Sequence, residues 1–288
     1  MKRILIPTDF SENSTKVCEY AINIIGNNKS EILLFHILPD SVMIPDSSFP
    51  AGIDSDAFLN SEYLEILQKQ ADNNMQKLKE STYNIIKGKN LKNIDLNTSI
   101  TSGDAEWEII NACDDFKPEV IVMGTRGEGN KGFLEGSMAE KIMSKIQIPV
   151  IAVPEDCNYN KPKNLLYTTN YSDKDFSKIH LLFKLLKPND IKIFVAHFDL
   201  DEKQDSKNEK INNLKSAFKN EILKGNINFN IIKGSDKSAS LNSFCETFNI
   251  DMITFISHKT NIFKTLFSHK IHKKDFFKLN LPMLAMHE

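Results

Sequence analysis

Residues 118–140 read PEVIVMGTRGEGNKGFLEGSMAE. The apolar segment 119–124 predicts a short buried strand, and the residues from Ser137 onward predict a helix. Five glycines stand between Gly124 and Gly136, counting both ends. Glycine lets the backbone approach a ligand closely, and the amides that open a helix attract anions. The stretch therefore predicts a βα unit whose connecting loop can cradle a phosphate group.

Two familiar glycine motifs do not account for this stretch. Gly127, Gly129 and Gly132 spell GxGxxG, but dinucleotide-binding folds carry that motif after their first strand, and here it follows the fourth. No GxxxxGK[ST] motif occurs in the chain. Ser137 and Glu140 also form an S-x-x-E capping box, so Ser137 has a purely structural alternative role. A plain flexible connection is the remaining alternative for the loop.

The rest of the first half alternates short apolar runs with helical patterns, which is typical of βαβ units in a parallel sheet. Strands are predicted at 3–8, 31–38, 94–101, 119–124 and 148–153, and helices at Ser14–Ile25, Ser61–Ile86, Ala105–Phe116 and Ser137–Lys145. A loop rich in Ser, Asp and Pro is predicted at Pro39–Asn60. Further strands are predicted near 164–168, 191–197, 227–232, 250–256 and 281–286.

The two halves of the chain repeat each other. ILIPTDFS at 4–11 matches LLYTTNYS at 165–172, and the same offset of 161 relates His36 to His197. IPVIAV at 148–153 matches LPMLAM at 281–286. Such self-similarity indicates an internal duplication. We therefore predict two domains, 1–154 and 163–288, which a polar, proline-bounded linker joins at Pro154–Lys163.

Composition narrows the class of protein. The 288 residues contain 36 Lys and Arg against 38 Asp and Glu, a balance that argues against a nucleic-acid or membrane-surface protein. No apolar run reaches the roughly 18 residues that a membrane span needs. The N-terminus is not typical of a signal peptide. Four cysteines without CxxC spacing indicate reduced thiols, so we expect a cytoplasmic protein.

Together the opening IPTDFS, the VIVMGTRG turn, the Gly-Ser start of the following helix and the IPVIAV strand resemble the universal stress protein family in its tandem two-domain form. Nucleotide-binding members carry G-x2-G-x9-G-[ST] after the fourth strand. Here Gly124 and Gly127 match the first pair and Gly136 with Ser137 the second, but the intervening run Glu128–Glu135 has eight residues instead of nine. The resemblance implies an α/β fold in which each domain is a five-stranded parallel sheet of order 3-2-1-4-5 flanked by helices. This is the Rossmann-like arrangement of the adenine nucleotide alpha hydrolases.

The resemblance also implies that the first domain binds ATP, with or without Mg²⁺. Asp9 would contact the adenosine, Ile37 would meet the adenine through its backbone, and the glycines would line the ribose and phosphates. The implied binding residues are Pro7, Thr8, Asp9, Ile37, Met123, Gly124, Arg126, Gly127, Gly136, Ser137 and Met138; no catalytic or metal-binding residue is assigned. In this strand order, Asp9 and Gly124 end neighbouring strands at the topological switch point.

Some of these residues have alternative roles. Asp9 is also the kind of residue that caps a helix, here the one predicted to begin near Ser14. For Arg126 and Lys131, solvated loop charges are slightly preferred to phosphate contacts.

The second half lacks the matching residues. Asn170 replaces Asp9, Ser257 and Thr260 stand where Gly124 and Gly127 would be, and His269 with Lys270 replaces Gly136 with Ser137. We therefore expect no ATP binding by the family's mode in this half. The segment 258–278 is rich in His and Lys. His269 and His272 stand three positions apart and His258 precedes them, but no acidic or Cys residue is spaced to complete a metal site, so a solvated basic surface is preferred.

We therefore expect an ATP-binding regulatory protein of the stress response, not an enzyme. A slow ATP hydrolase is one alternative, although no recognisable general base lies near Gly136. A structural or chaperone-like protein that binds no nucleotide is the other. The resemblance implies that the last strands of the two domains pair within the chain as a pseudo-dimer. A further homodimer and an unnamed protein partner stay open.

Overall fold

The computed structural model describes residues 2–40, 53–125, 138–169, 171–186, 190–198, 205–233, 237–257 and 279–287. Its strands are β1 (Lys2–Pro7), β2 (Ser30–Leu38), β3 (Ile94–Ser102), β4 (Val120–Gly124), β5 (Val150–Val153), β6 (Asn164–Thr168), β7 (Lys192–Phe198), β8 (Ile227–Ile232), β9 (Met252–Ser257) and β10 (Met283–His287). Its helices are α1 (Ser14–Ile25), α2 (Ile53–Gly88), α3 (Ala105–Phe116), α4 (Met138–Lys145), α5 (Asp175–Leu186), α6 (Asp205–Ala217), α7 (Lys219–Leu223) and α8 (Lys237–Thr247).

The ten strands form one sheet in the order β3-β2-β1-β4-β5-β10-β9-β6-β7-β8. Within each half the strands are parallel and follow the order 3-2-1-4-5, which confirms the predicted fold class. The halves meet where β5 and β10 pair antiparallel, with Leu284 opposite Ile151. The expected pairing of the two last strands is therefore confirmed.

One predicted boundary was wrong. Helix α2 begins at Ile53 instead of Ser61, so residues 53–60 of the predicted loop are helical, while 41–52 lie outside the described residues. The Ser and Asp residues of this segment, among them Asp54 and Asp56, are typical of a loop. Acidic residues in the first turn of a helix are also favourable, however, because they interact with the helix dipole. Helix α2 has 36 residues, but neither it nor another described helix is both long and apolar enough to cross a membrane.

The central strands of the sheet are buried on both faces. Alternate side chains of a strand point to opposite faces, so Ile4 and Ile6 pack on the α1 and α2 side while Leu5 packs on the α3 and α4 side. Each of these two core clusters contains residues from both halves. All four cysteines are buried and free of disulfide bonds, and burial raises the pKa of the Cys18 thiol to about 11.

The linker between the two halves is packed against α1. The Tyr159 hydroxyl donates to the carbonyl of Glu155, and it lies 3.0 Å from the carbonyl of Pro154 and 3.3 Å from Oδ1 of Asn13. The Asn23 amide donates to the carbonyl of Tyr159 (2.6 Å), and the Lys16 ammonium lies 5.8 Å from the Tyr159 ring centre. The two halves therefore share a core, and the linker is anchored to α1. The domain limits 1–154 and 163–288 stay predictions.

We expect Tyr159→Phe to lower the free energy of unfolding by about 1–2 kcal/mol, because partly buried acceptors lose their donor. Urea unfolding followed by circular dichroism measures the change. Tyr20→Phe is the matched control, because the buried Tyr20 hydroxyl has no hydrogen-bond partner among the described residues. This control should be neutral or stabilising, and equal losses in both variants would contradict an anchored linker.

Candidate functional site

The crevice of the first half lies at the carboxyl ends of β1 and β4. These strands are neighbours, with Leu5 opposite Ile121. The connection after β1 passes through α1 on one face of the sheet, and the connection after β4 leads to α4 on the other face. Because the two crossovers leave in opposite directions, the chain leaves an opening between them. The structure therefore forms the switch point that the strand order implies.

The turn after β1 presents Asp9 to this opening. Thr8 donates its amide to the carbonyl of Phe35 (2.9 Å), which ties the turn to β2. The Asp9 side chain is exposed, and its Oδ1 accepts the Ser11 amide (3.0 Å). Helix α1 starts only at Ser14, with Asn13 in the N-cap position, so Asp9 does not cap this helix. The helix-cap alternative for Asp9 is wrong.

His36 and Phe10 hold the same turn, although neither belongs to the predicted set of binding residues. His36 Nδ1 lies 2.7 Å from the carbonyl oxygen of Thr8, so Nδ1 carries a proton, because a carbonyl can only accept. The Phe10 ring centre is 4.2 Å from that of His36. Phe10 has a φ of 62°, and its amide donates to Thr8 Oγ1 (3.2 Å). These contacts keep the turn in a left-handed conformation that a non-glycine residue rarely adopts.

Ile37 turns its backbone groups toward the space beyond β1. The Phe35 carbonyl faces β1, where it accepts the Thr8 amide, whereas the Leu38 carbonyl faces β3, where it accepts the Gly103 amide (2.9 Å). Alternate residues of a strand direct their amides and carbonyls to the same side. The Ile37 amide and carbonyl therefore face the β1 side, two residues past the end of the β1–β2 register at Phe35.

The end of β4 supplies the other wall of the crevice. Met123 and Gly124 pair with β5, and the Thr125 amide donates to the carbonyl of Val153 (3.2 Å). The Thr125 side chain is 2% exposed, and its hydroxyl has no partner among the described residues. A buried hydroxyl of this kind requires an explanation, and a bound polar ligand is one. Thr125 is absent from the predicted site because the glycines on either side of it dominate the motif.

The structure thus brings together part of the predicted site. Seven of the predicted residues lie at the carboxyl edge of the first half: Pro7, Thr8, Asp9, Ile37, Met123, Gly124 and Met138, which is the first residue of α4. Arg126, Gly127, Gly136 and Ser137 lie outside the described residues, as do Lys131, Asn170 and the segment 258–278. The assignment of these side chains to a ligand stays a prediction.

The second half repeats the turn with the same geometry. His197 Nδ1 lies 2.8 Å from the carbonyl oxygen of Thr169, and the rings of Tyr171 and His197 are 4.9 Å apart. Tyr171 has a φ of 58°, and its amide donates to Thr169 Oγ1 (2.7 Å). Each of these residues stands 161 positions after its counterpart. The similarity between the halves therefore extends from the sequence to individual hydrogen bonds.

One exchange gives the second half a buried carboxyl group. Asp175 occupies the place of Ser14 and is 1% exposed. Tyr167 donates its hydroxyl to Oδ1 (2.7 Å), and Thr169 donates to Oδ2. Burial raises the pKa of Asp175 above its ordinary value of 3.8, although the hydrogen bonds from Thr169 and Tyr167 oppose this shift and the negative charge of Asp173 adds to it. Asp175, Tyr167 and Thr169 thus form a buried polar cluster in the second half.

Comparison with known proteins places the chain in a family. Residues 1–154 match the family described as the Universal stress protein family. The chain belongs to the universal stress protein family. It is 27% identical over 159 residues to the universal stress protein MJ0577 of Methanocaldococcus jannaschii, covering 53% of this chain and 94% of that protein. A second relative from the same organism, MJ0531, is 29% identical over 153 residues, covering 53% of this chain and 81% of that protein.

The fold of the whole chain also occurs in a solved structure. A universal stress protein from Archaeoglobus fulgidus superposes with a TM-score of 0.66 and 19% identity, covering 99% of this chain and 96% of that one. At this identity the likeness concerns the fold alone.

The Asp175 cluster predicts a pH dependence of stability. Because the pKa of Asp175 is higher in the folded than in the unfolded chain, the folded protein binds this proton more tightly. The resulting stability is present at low pH and is lost as the pH rises through the raised pKa. Asp175→Asn stays neutral, so its free energy of unfolding should gain on that of the parent as the pH rises above the ordinary pKa of 3.8.

Urea unfolding of both proteins at several pH values measures this difference. A difference that stays constant across the range would contradict a raised pKa for Asp175.

Proposed function

We propose that this chain is an ATP-binding regulatory protein of the stress response and that its first half holds the nucleotide. The observation that carries the proposal is the placement of four groups at the carboxyl ends of the neighbouring strands β1, β2 and β4. These are the exposed Asp9 carboxylate, the outward backbone of Ile37, the glycine that ends β4 and the buried hydroxyl of Thr125. The resemblance of the 124–137 stretch to the family's nucleotide motif supports an adenine nucleotide as the ligand.

The chemistry of these groups suits an adenine nucleotide. A carboxylate only accepts hydrogen bonds, so Asp9 matches the hydroxyl groups of a ribose. An amide and a carbonyl on one residue, as on Ile37, match an adenine edge that offers one acceptor beside one donor. Gly124 leaves room for close approach of the sugar and phosphates. Thr125 contributes a hydroxyl that can donate or accept.

Helix α4 supports a phosphate at the same place. It follows β4 in the chain, so its first residue, Met138, lies at the carboxyl edge of the sheet. Helix N-termini favour negative charge through their free amides and dipole. When bound, ATP supplies the polyphosphate charge that these amides and the predicted glycine loop would hold.

The proposal is one of binding and not of catalysis. Phosphoryl transfer needs a positioned water, charge stabilisation and usually a metal ion. The sequence near Gly136 offers no recognisable general base. We therefore propose that any hydrolysis is slow and incidental, and that ATP acts by changing a surface that a protein partner recognises. The second half, with Asn170 and Ser257 in place of Asp9 and Gly124, is proposed not to bind ATP by the family's mode.

ATP should raise the melting temperature of the protein in the presence of Mg²⁺. A ligand at a hundredfold excess over Kd stabilises a fold by about 2.7 kcal/mol. Asp9→Asn removes the carboxylate charge and introduces the residue found at this place in the second half, so it should weaken ATP binding about tenfold. Gly124→Val should abolish the shift. Thermal unfolding and titration calorimetry measure both effects.

The matched control is Asp173→Asn, the same chemical change at the corresponding turn of the second half, where the carboxylate is exposed and 3.3 Å from Lys210. It should leave the ATP shift unchanged. A parent protein that shows no shift would favour the structural role without nucleotide. Stoichiometric phosphate release within minutes would favour the hydrolase.

A further inference from the structure

A hydrogen bond joins the end of β9 in the second half to a helix of the first half. Ser257 is the last residue of β9 and is fully buried. Its hydroxyl donates to the carbonyl oxygen of Met143, at 2.8 Å. Met143 belongs to α4, the helix that follows the glycine-rich stretch. The contact therefore connects the second half to the element beside the proposed nucleotide site.

This bond satisfies an acceptor that a helix cannot satisfy by itself. The last four carbonyls of a helix have no partner within it. Helix α4 ends at Lys145, so the Met143 carbonyl is one of these four, and the Met143 side chain is 1% exposed. A buried carbonyl without a donor is costly. Ser257 thus acts as a C-terminal cap for α4, supplied from 114 positions away in the chain.

The second half also contributes to the packing around α4. Its buried residues Ala139, Ile142 and Met143 share a core cluster with Phe255 of β9 and Met283 of β10. Helix α4 is also in contact with β10. The buried face of the helix is therefore formed jointly by its own half and by the second half. Any change in the position of β9 or β10 alters the surface on which α4 rests.

Ser257 occupies the place that Gly124 has in the first half. There, the residue borders the crevice and a glycine leaves space for a ligand. In the second half the serine side chain points to α4 instead. We propose that the second half has exchanged its own site for the support of α4, and that Ser257 is a positioning residue for ATP in the first half. This inference rests on the proposed function.

The length of α4 explains why such support matters. With eight residues the helix is about 12 Å long, so only about two turns separate its C-terminal cap from its N-terminus. Releasing the C-terminal cap loosens the amides at the N-terminus, where the phosphates are proposed to bind. Coupling of this kind is reciprocal, so ATP in turn should tighten the contact between α4 and β9.

Ser257→Ala removes the bond, and Thr254→Val is the matched control. Thr254 lies on the same strand and is also fully buried, but its hydroxyl donates to the carbonyl of Leu166 (3.1 Å), within the second half. Each variant loses one buried hydroxyl hydrogen bond. Only the first one frees α4.

Amide hydrogen exchange in the ATP-free proteins tests the support itself. Ser257→Ala should speed exchange of the α4 amides about tenfold, whereas Thr254→Val should leave them near the parent rate. Titration calorimetry with ATP then tests the coupling: Ser257→Ala should weaken binding on the order of fivefold, and Thr254→Val should not. In the parent protein, added ATP should slow exchange of the same α4 amides.

Equal effects of the two variants on ATP affinity would overturn the inference, and so would faster α4 exchange with unchanged ATP affinity. If Ser257→Ala did not fold, the parent measurement would decide, and ATP that bound without slowing α4 exchange would overturn the coupling. A parent protein that binds no ATP overturns the proposed function as well. That failure is distinguishable because it is seen before any substitution.

Discussion

The antiparallel pairing of β5 with β10 is the constraint on which the rest of the structure depends. Each half ends in a short apolar strand whose outer edge would otherwise be open to pairing with other chains. By pairing with each other, the two strands cover both edges and turn two five-stranded sheets into one of ten strands. The same pairing brings β9 and β10 against α4, which makes the first half's helix part of a shared core.

The two halves show how a duplicated unit diverges around a shared local geometry. The turn after the first strand keeps its threonine, its aromatic residue at positive φ and its histidine contact in both copies. The two halves differ in the position and exposure of the carboxyl group near this turn. The first half offers an exposed Asp9, whereas the second buries Asp175 between Tyr167 and Thr169. At the position that Ser14 holds in the first half, the second half thus carries a buried carboxyl group.

The fold was predictable from the sequence where its determinants are local or repeated. Apolar runs bounded by turn residues predicted the strands of both halves, and the Gly124–Ser137 pattern led to the family. The start of α2 was harder to predict, since Ser and Asp are common both in loops and in first helical turns. Asp9 and Gly124 were placed correctly at the carboxyl edge. Thr125 and His36 were missed, because burial and ring contacts depend on residues distant in the chain.

The sequence by itself determined the duplication, the alternation of strands and helices, and the loss of the glycines in the second half. Such properties follow from short-range periodicity and from comparing one half with the other. Only the tertiary structure decided what the second half does with the vacated position. From the sequence Ser257 is simply a lost glycine, but in the fold its hydroxyl caps α4 at Met143. That role requires two residues far apart in the chain to meet within hydrogen-bond distance, which only the packing of the two halves can bring about.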